Sequence, residues 1–181
     1  MTSEVYSDLI LDQYFYFYDL ILKYSPSWRT DPYSLDRIID ACRAQISISP
    51  KTFLAFQQRP RFKILPTPSH VGFSTLVEVF SFQERFKEAI ELAERAKEEG
   101  WTGDWDNQIN LLRKLESKHG VPKIIQLIKD SPGILQTEIY KMVDLPRDTV
   151  STLLYWWGKT AKIERKKKGK TYQLYFIPHP P

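Results

Sequence analysis

The sequence predicts a mainly helical protein whose last third forms a small basic module of two helices and a β-hairpin. Apolar residues recur at three- and four-residue spacing through most of the chain, and two alternating segments lie near its C-terminal end. Positive charge is concentrated in that same end. We therefore expect a helical body over residues 1–120 and a separate module over residues 121–181.

The first helix of the module is predicted to run from Gln136 to Val143. Leu135, Ile139, Met142 and Val143 recur at helical spacing, and the polar residues between them occupy the opposite side. The pattern indicates a short amphipathic helix whose apolar side, Met142 included, faces a core.

A second helix is predicted to begin near Pro146, because proline is preorganised for a first turn and has no amide donor to lose there. Its apolar positions are again three and four apart: Val150, Leu153, Leu154 and Trp157. The residues expected to project outward are Arg147, Asp148, Ser151, Thr152, Tyr155 and Lys159. Two helices joined by a short turn can share one core, and the second helix can then lie in the major groove of a DNA duplex.

A hairpin with a basic tip is predicted after the second helix. Residues 161–166 alternate apolar and charged side chains, and residues 171–177 alternate again with β-favouring types. Between them Lys167-Lys168-Gly169-Lys170 is expected to form the turn.

The segment from Leu145 to Leu154, together with Lys159 and Ile163-Glu164-Arg165, resembles the recognition helix and wing of winged-helix transcriptional repressors of the multiple-antibiotic-resistance regulator type. The resemblance covers roughly the last third of the chain and implies a helical N-terminal body followed by a C-terminal winged helix-turn-helix. In that family the second helix reads base edges, and the hairpin tip contacts phosphate or the minor groove. By position, the resemblance and the basic hairpin make these the candidate DNA-binding residues: Arg147, Thr149, Ser151, Thr152, Tyr155, Lys159, Lys166, Lys167, Lys168 and Lys170.

The charge distribution favours nucleic acid as the partner of this module. Residues 121–181 contain 11 Lys and Arg against 5 Asp and Glu, whereas residues 1–120 contain 15 against 17. Five of the 11 lie between Arg165 and Lys170, where they could neutralise phosphates and release counterions. The alternative is a solvated turn that protects a strand edge from pairing.

The N-terminal body is predicted to consist of several helices. Ser7 to Lys23 is apolar on more than one face and serves either as core or as a dimer seam. Asp31-Pro32 should cap a helix that runs through Cys42 or Gln45, and Ser49-Pro50 should open a short helix that ends by Arg59-Pro60.

Later segments of the body are less regular in pattern. Phe62 to Pro68 favours an irregular connection or a brief strand. Ser81-Phe82-Gln83-Glu84 has the pattern of a capping box for a helix from Arg85 to Glu99, unless one unbroken helix runs from Ser74. A further helix is expected from Trp105 to His119, and Gly120-Val121-Pro122 should separate the body from the module.

No pattern of catalytic or metal-binding residues is apparent, so we expect neither an enzyme nor a cofactor. The histidines His70, His119 and His179 are scattered, and Cys42 stands at helical spacing among apolar residues, where a buried inert thiol is expected. No apolar run approaches the roughly 18 to 20 residues of a membrane span, and a cytoplasmic location is expected.

The sequence as a whole therefore predicts a regulator of transcription that binds double-stranded DNA as a homodimer, without a membrane partner. The alternative is a replication or mobile-element accessory protein. Its winged helix would bind DNA without sequence preference or dock a protein, and its N-terminal body would bind a protein partner.

Overall fold

The computed structural model describes residues 3–59 and 68–178 of the chain. The chain divides into two compact units between Ile109 and Asn110, a point that lies ahead of the expected boundary at Gly120. The protein is mainly helical, with one three-stranded antiparallel sheet near its C-terminal end. Among the described residues, no helix combines the length and the apolarity that a membrane crossing requires.

The regular secondary structure in the described residues of the first unit is helical. Its helices are α1 (Ser3–Tyr24), α2 (Pro32–Ser47), α3 (Ser49–Gln58), α4 (Val71–Phe82) and α5 (Phe86–Glu98), and α6 (Trp105–Glu116) spans the division. Helix α1 packs against α2, α3 and α4, and α4 packs against α2 and α5. The helices predicted around residues 7–23, 32–45, 49–59 and 105–119 are confirmed. Residues 60–67, which hold nearly all of the connection predicted over Phe62–Pro68, lie outside the described residues.

The start of α2 is fixed by the predicted Asp-Pro cap. The Asp31 carboxylate accepts hydrogen bonds from the backbone N–H groups of Ser34 at 2.9 Å and Tyr33 at 3.3 Å. Pro32 follows within the first turn of the helix. The local chemistry of an acidic N-cap before proline is therefore sufficient to define this boundary.

The helix predicted from Arg85 to Glu99 is confirmed as α5, but both predictions of how it begins are wrong. Ser81 lies in the last turn of α4, and its hydroxyl donates to Val77 O at 2.6 Å instead of capping the next helix. Nor is the helix unbroken, because Glu84 has φ +60° and interrupts it before α5. Because α4 continues past Ser81, the Ser81 hydroxyl donates to a backbone carbonyl of its own helix. Ser81 is therefore not at the start of a helix, where a capping box would form.

The second unit contains the sheet and the helices around it. After the end of α6 come α7 (Val121–Asp130), β1 (Ile134–Leu135), α8 (Gln136–Met142), α9 (Arg147–Lys159), β2 (Ile163–Lys168) and β3 (Thr171–Phe176). The sheet has the order β1-β3-β2, with both pairs antiparallel. Helices α7 and α8 pack against β3, and α9 packs against β2 and α8. The sequence pattern did not predict α7 or β1, and the Gly120-Val121-Pro122 segment interpreted as a separator begins α7.

The core of this unit is made of aliphatic side chains from every element around the sheet. The residues that are fully buried or nearly so include Ile124, Ile128, Ile139, Val150, Leu154, Ile163 and Leu174. Met142, predicted to face this core, is 55% exposed. Helix α8 has only seven residues and ends at Met142, one residue before the predicted end, because Val143 is already extended (φ −124°, ψ 142°).

Candidate nucleic-acid interface

Helix α9 presents the polar face that the sequence predicted. The Val150 amide donates to Pro146 O at 3.1 Å, which starts the helix directly after the proline. Val150, Leu154 and Trp157 are buried. On the opposite side the exposed residues are Arg147, Asp148, Thr152, Tyr155 and Lys159. The outer face therefore combines two cations, one anion, a hydroxyl and an aromatic ring, and such polar side chains are suited to groove contacts.

Two of the candidate residues on α9 are less available than the others. Thr149 and Ser151 are half-buried. The Ser151 hydroxyl lies 3.5 Å from the Gln136 amide nitrogen, at the contact between α8 and α9. Arg147, by contrast, is exposed at the start of the helix, and its guanidinium carbon lies 5.1 Å from the centre of the Tyr140 ring. The N-terminal end of α9 thus offers Arg147 more directly than Thr149 or Ser151.

The hairpin is longer and its turn tighter than the sequence pattern indicated. Lys167 and Lys168, predicted in the turn, are the last residues of β2, and Lys168 pairs with Thr171 across a two-residue turn. Gly169 has φ +60° at the first turn position, a conformation in which glycine carries no steric penalty. The charged β-strand therefore extends as far as the turn itself.

The hairpin lysines are divided between its two faces. Alternation along β2 puts Lys167 on the same face as Ile163, the face that packs against the helices, and puts Lys166 and Lys168 on the other. Lys166 lies 3.2 Å from Glu164 and 4.8 Å from the centre of the Tyr175 ring. Lys167, Lys168 and the turn residue Lys170 are exposed. Lys166 is thus partly neutralised, whereas the other three form the basic tip.

Arg165 joins α9 to the hairpin, and sequence reasoning did not include it among the candidate residues. Its Nη2 donates to Gln136 Oε1 at 3.0 Å, and its guanidinium carbon lies 4.1 Å from the Tyr172 ring centre and 5.8 Å from that of Tyr155. A Cβ at position 158 would lie 2.7 Å from Arg165 Cδ, so Gly158 provides the space for this side chain. The sequence contains one signal for this placement. Arg165 stands two residues after the buried Ile163, so alternation along β2 puts both side chains on the same face of the strand.

The electrostatics of the second unit are strongly positive. Residues 110–181 contain 14 Lys and Arg against 6 Asp and Glu, a net charge of +8. Two of the acidic residues are paired within the unit, Asp144 with Lys114 at 3.3 Å and Glu164 with Lys166 at 3.2 Å. Such an excess of cations attracts polyanions and makes their binding sensitive to salt.

Cys42 and His70 are buried ionisable groups of the first unit. Burial raises the pKa of the Cys42 thiol to about 12, as suits the expected inert cysteine. Burial likewise lowers the pKa of His70 to about 4. His70 caps α4, its Nδ1 accepts from the Phe73 amide at 3.3 Å, and its buried Nε2 has no hydrogen-bond partner. The sequence analysis treated His70 only as one of three scattered histidines. In the structure it lies in the core, in contact with the rings of Tyr14, Phe73 and Trp101.

In the part of the chain that the structure describes, no group of three or more His, Cys, Asp or Glu could hold a metal ion. Comparisons of the chain with protein-family models, with curated proteins and with solved structures found no match.

Proposed function

We propose that residues 110–181 form a winged helix-turn-helix that binds double-stranded DNA. The order of α7, β1, α8, α9, β2 and β3, with β1 paired to β3, supports this assignment. In such an arrangement α9 enters the major groove and the β2–β3 hairpin contacts the neighbouring backbone. A 13-residue helix is about 20 Å long, enough to cross a groove about 12 Å wide.

The observation that carries the proposal is the continuity of one basic surface from α9 to the hairpin. Tyr155 on α9 and Tyr172 on β3 both lie within 6 Å of the Arg165 guanidinium, so the polar face of the helix and the hairpin are linked side chain to side chain. Lys159 lies 5.6 Å from the Tyr155 ring centre on the same helix. A duplex seated on α9 would therefore meet further cations towards the tip, which increases affinity independently of sequence.

A role in transcription would follow from occupancy of a promoter by a dimer. Helix α1 supports a dimer, because Val5, Leu9 and Tyr16 are 50%, 51% and 62% exposed and share one face at helical spacing. Exposed apolar side chains in a row are typical of association surfaces. Two copies would present two α9 helices, and a palindromic DNA site would match them.

The proposal is tested by the salt dependence of binding to a random-sequence duplex, followed by fluorescence anisotropy. Replacing Lys167, Lys168 and Lys170 together with Ala should weaken binding to every duplex. The slope of log K against log salt should flatten by roughly 0.9 for each phosphate that the variant no longer neutralises.

A matched control removes the same charge elsewhere. Lys23, Lys51 and Lys87 are exposed lysines of the first unit, and their joint replacement with Ala also lowers the net charge by three. The control should retain the wild-type slope. Equal slopes for both triple variants would remove the hairpin from the proposed interface, and absence of duplex binding at low salt would contradict the function itself.

Selection of preferred sites from a random pool then separates a regulator from an accessory protein. An enriched palindrome supports a dimeric regulator with α9 as the reading helix. Uniform affinity for all sequences supports instead a replication or mobile-element accessory role in which DNA is bound through its backbone.

A further inference from the structure

A groove of about 400 Å³ lies between α9 and the hairpin, beside the surface described above. Its volume falls within the range of small-molecule and cofactor pockets. Its lining combines aromatic rings and cations and includes Tyr155, Gly158, Lys159, Ile163, Arg165 and Tyr172. The Arg165 side chain lies over Gly158, and the buried Ile163 adds an apolar side chain to the lining.

Arg165 in this groove is a half-buried cation with no carboxylate within ion-pair distance among the described residues. Its Nη2 donates to the neutral amide of Gln136, and within the part of the chain that the structure describes its buried Nε has no hydrogen-bond partner. Lys159 likewise has no carboxylate within ion-pair distance among the described residues. Glu164, which also lines the groove, is paired with Lys166. A partly buried cation is normally paired, so the unpaired Arg165, with the exposed Lys159 beside the same cavity, indicates a place for an anion.

The aromatic rings make the groove different from a simple anion site. Tyr155 and Tyr172 are 43% and 36% exposed, and each lies beside Arg165. Exposed tyrosines next to cations are the side chains on which proteins stack unpaired bases while holding the adjacent phosphate. Bases within a duplex offer only their edges to a protein, so stacking on these ring faces requires an unpaired base.

We infer that this groove binds one nucleotide of an unpaired strand, with its phosphate near Arg165 and Lys159 and its base against Tyr155 or Tyr172. The site shares Tyr155 and Lys159 with the proposed duplex surface, whereas Tyr172 is not among the proposed duplex contacts. It would let the second unit engage DNA in which a short single-stranded stretch adjoins a duplex. The inference does not depend on duplex binding, because an isolated single strand can occupy the groove.

The test is a titration of the full chain with a fluorescently labelled thymidine hexamer at low salt. Tyr172→Leu, Tyr155→Leu and Lys159→Gln should each weaken hexamer binding, the tyrosine variants by roughly 5- to 150-fold, the range for removal of one base stack. All three side chains are exposed enough for substitution without removing a buried core group. Tyr16→Leu, at an exposed tyrosine of α1, is the matched control and should bind as wild type.

Titrations with thymidine monophosphate and inorganic phosphate distinguish a strand, a free nucleotide and a simple anion as the ligand of the groove. Binding of the monophosphate as tight as that of the hexamer supports the nucleotide site with a free nucleotide as occupant. Tighter binding of the hexamer supports a strand. Inorganic phosphate as tight as the monophosphate overturns the assignment, as does hexamer binding that the tyrosine variants leave unchanged or that is absent at low salt.

A parallel duplex titration keeps the two proposals apart. Tyr172 is outside the proposed duplex contacts, so Tyr172→Leu should weaken hexamer binding more than duplex binding. Hexamer binding without duplex binding would uphold this inference and contradict the proposed function. Duplex binding without hexamer binding would support the proposed function and contradict this inference.

Discussion

The buried histidine of the first unit should make its stability depend on pH. Burial lowers the pKa of His70 from 6.5 to about 4, and the nearby Arg95 lowers it further while Glu99 opposes the shift. The unfolded chain therefore binds the proton more readily than the folded chain between these two values. The contribution of uncharged His70 to the free energy of unfolding is fully present above pH 6.5 and is lost as the pH falls toward 4.

The size of the effect follows from the shift. At 1.36 kcal/mol per pKa unit, the free energy of unfolding should fall by about 2 kcal/mol at pH 5 and by about 3 kcal/mol at pH 4 through His70 alone. Replacing His70 with Asn removes this dependence and keeps a side-chain acceptor at the N-cap of α4. The variant should be less stable than wild type at pH 7, because the smaller side chain leaves a cavity, and the difference should narrow in acid.

Urea denaturation between pH 7 and pH 4 measures this difference. The indole N–H signals of Trp101 and Trp105 report on the first unit, in which both rings are buried. His119→Asn, at an exposed histidine of the second unit, is the control and should keep the wild-type dependence. Parallel pH profiles for wild type and His70→Asn would refute the argument, as would an NMR titration of His70 with a midpoint near 6.5.

Three further substitutions test the second unit. Gly133→Ala should lower the thermal stability of the unit by about 1–2 kcal/mol, because the glycine has φ +85° and a Cβ would lie 3.1 Å from Tyr175 Oη; an unchanged melting temperature would contradict the described turn. Ile139→Ala should cost about 2–5 kcal/mol in urea denaturation, since the side chain is fully buried, and a cost under about 1 kcal/mol would place it outside the core. Arg147→Ala should cost about 1–3 kcal/mol in binding to a selected DNA site and little on random duplex, whereas equal losses on both would make Arg147 a phosphate contact.

The elements that the sequence predicted are those with strong local signals. Asp31-Pro32 defines the start of α2 because the cap and the proline act within four residues. The spacing of Val150, Leu154 and Trp157 predicts α9, since all three face one core. Period-two alternation likewise predicts the two long strands, which need only each other as partners.

The features that the sequence did not predict depend on contacts between distant residues. Strand β1 has only two residues, and its pairing of Ile134 with Leu174 spans 40 positions. The position of the Arg165 side chain likewise depends on residues of other elements, because it contacts Gln136 on α8 and Tyr172 on β3. From the alternating pattern of β2 alone, the charged Arg165 is expected to be exposed. Its half-buried position follows only once the partner Gln136 on α8 is known.

The most direct test of the proposed interface is NMR mapping of the isotope-labelled chain on addition of a random-sequence duplex. We expect the largest amide shifts at Arg147, Thr152 and Tyr155 on α9 and at Lys168 and Lys170 near the hairpin turn. Amides of α2 and α5 in the first unit should shift little. Shifts confined to the first unit, or no shifts at low salt, would contradict the claim that α9 and the hairpin form a DNA-binding surface.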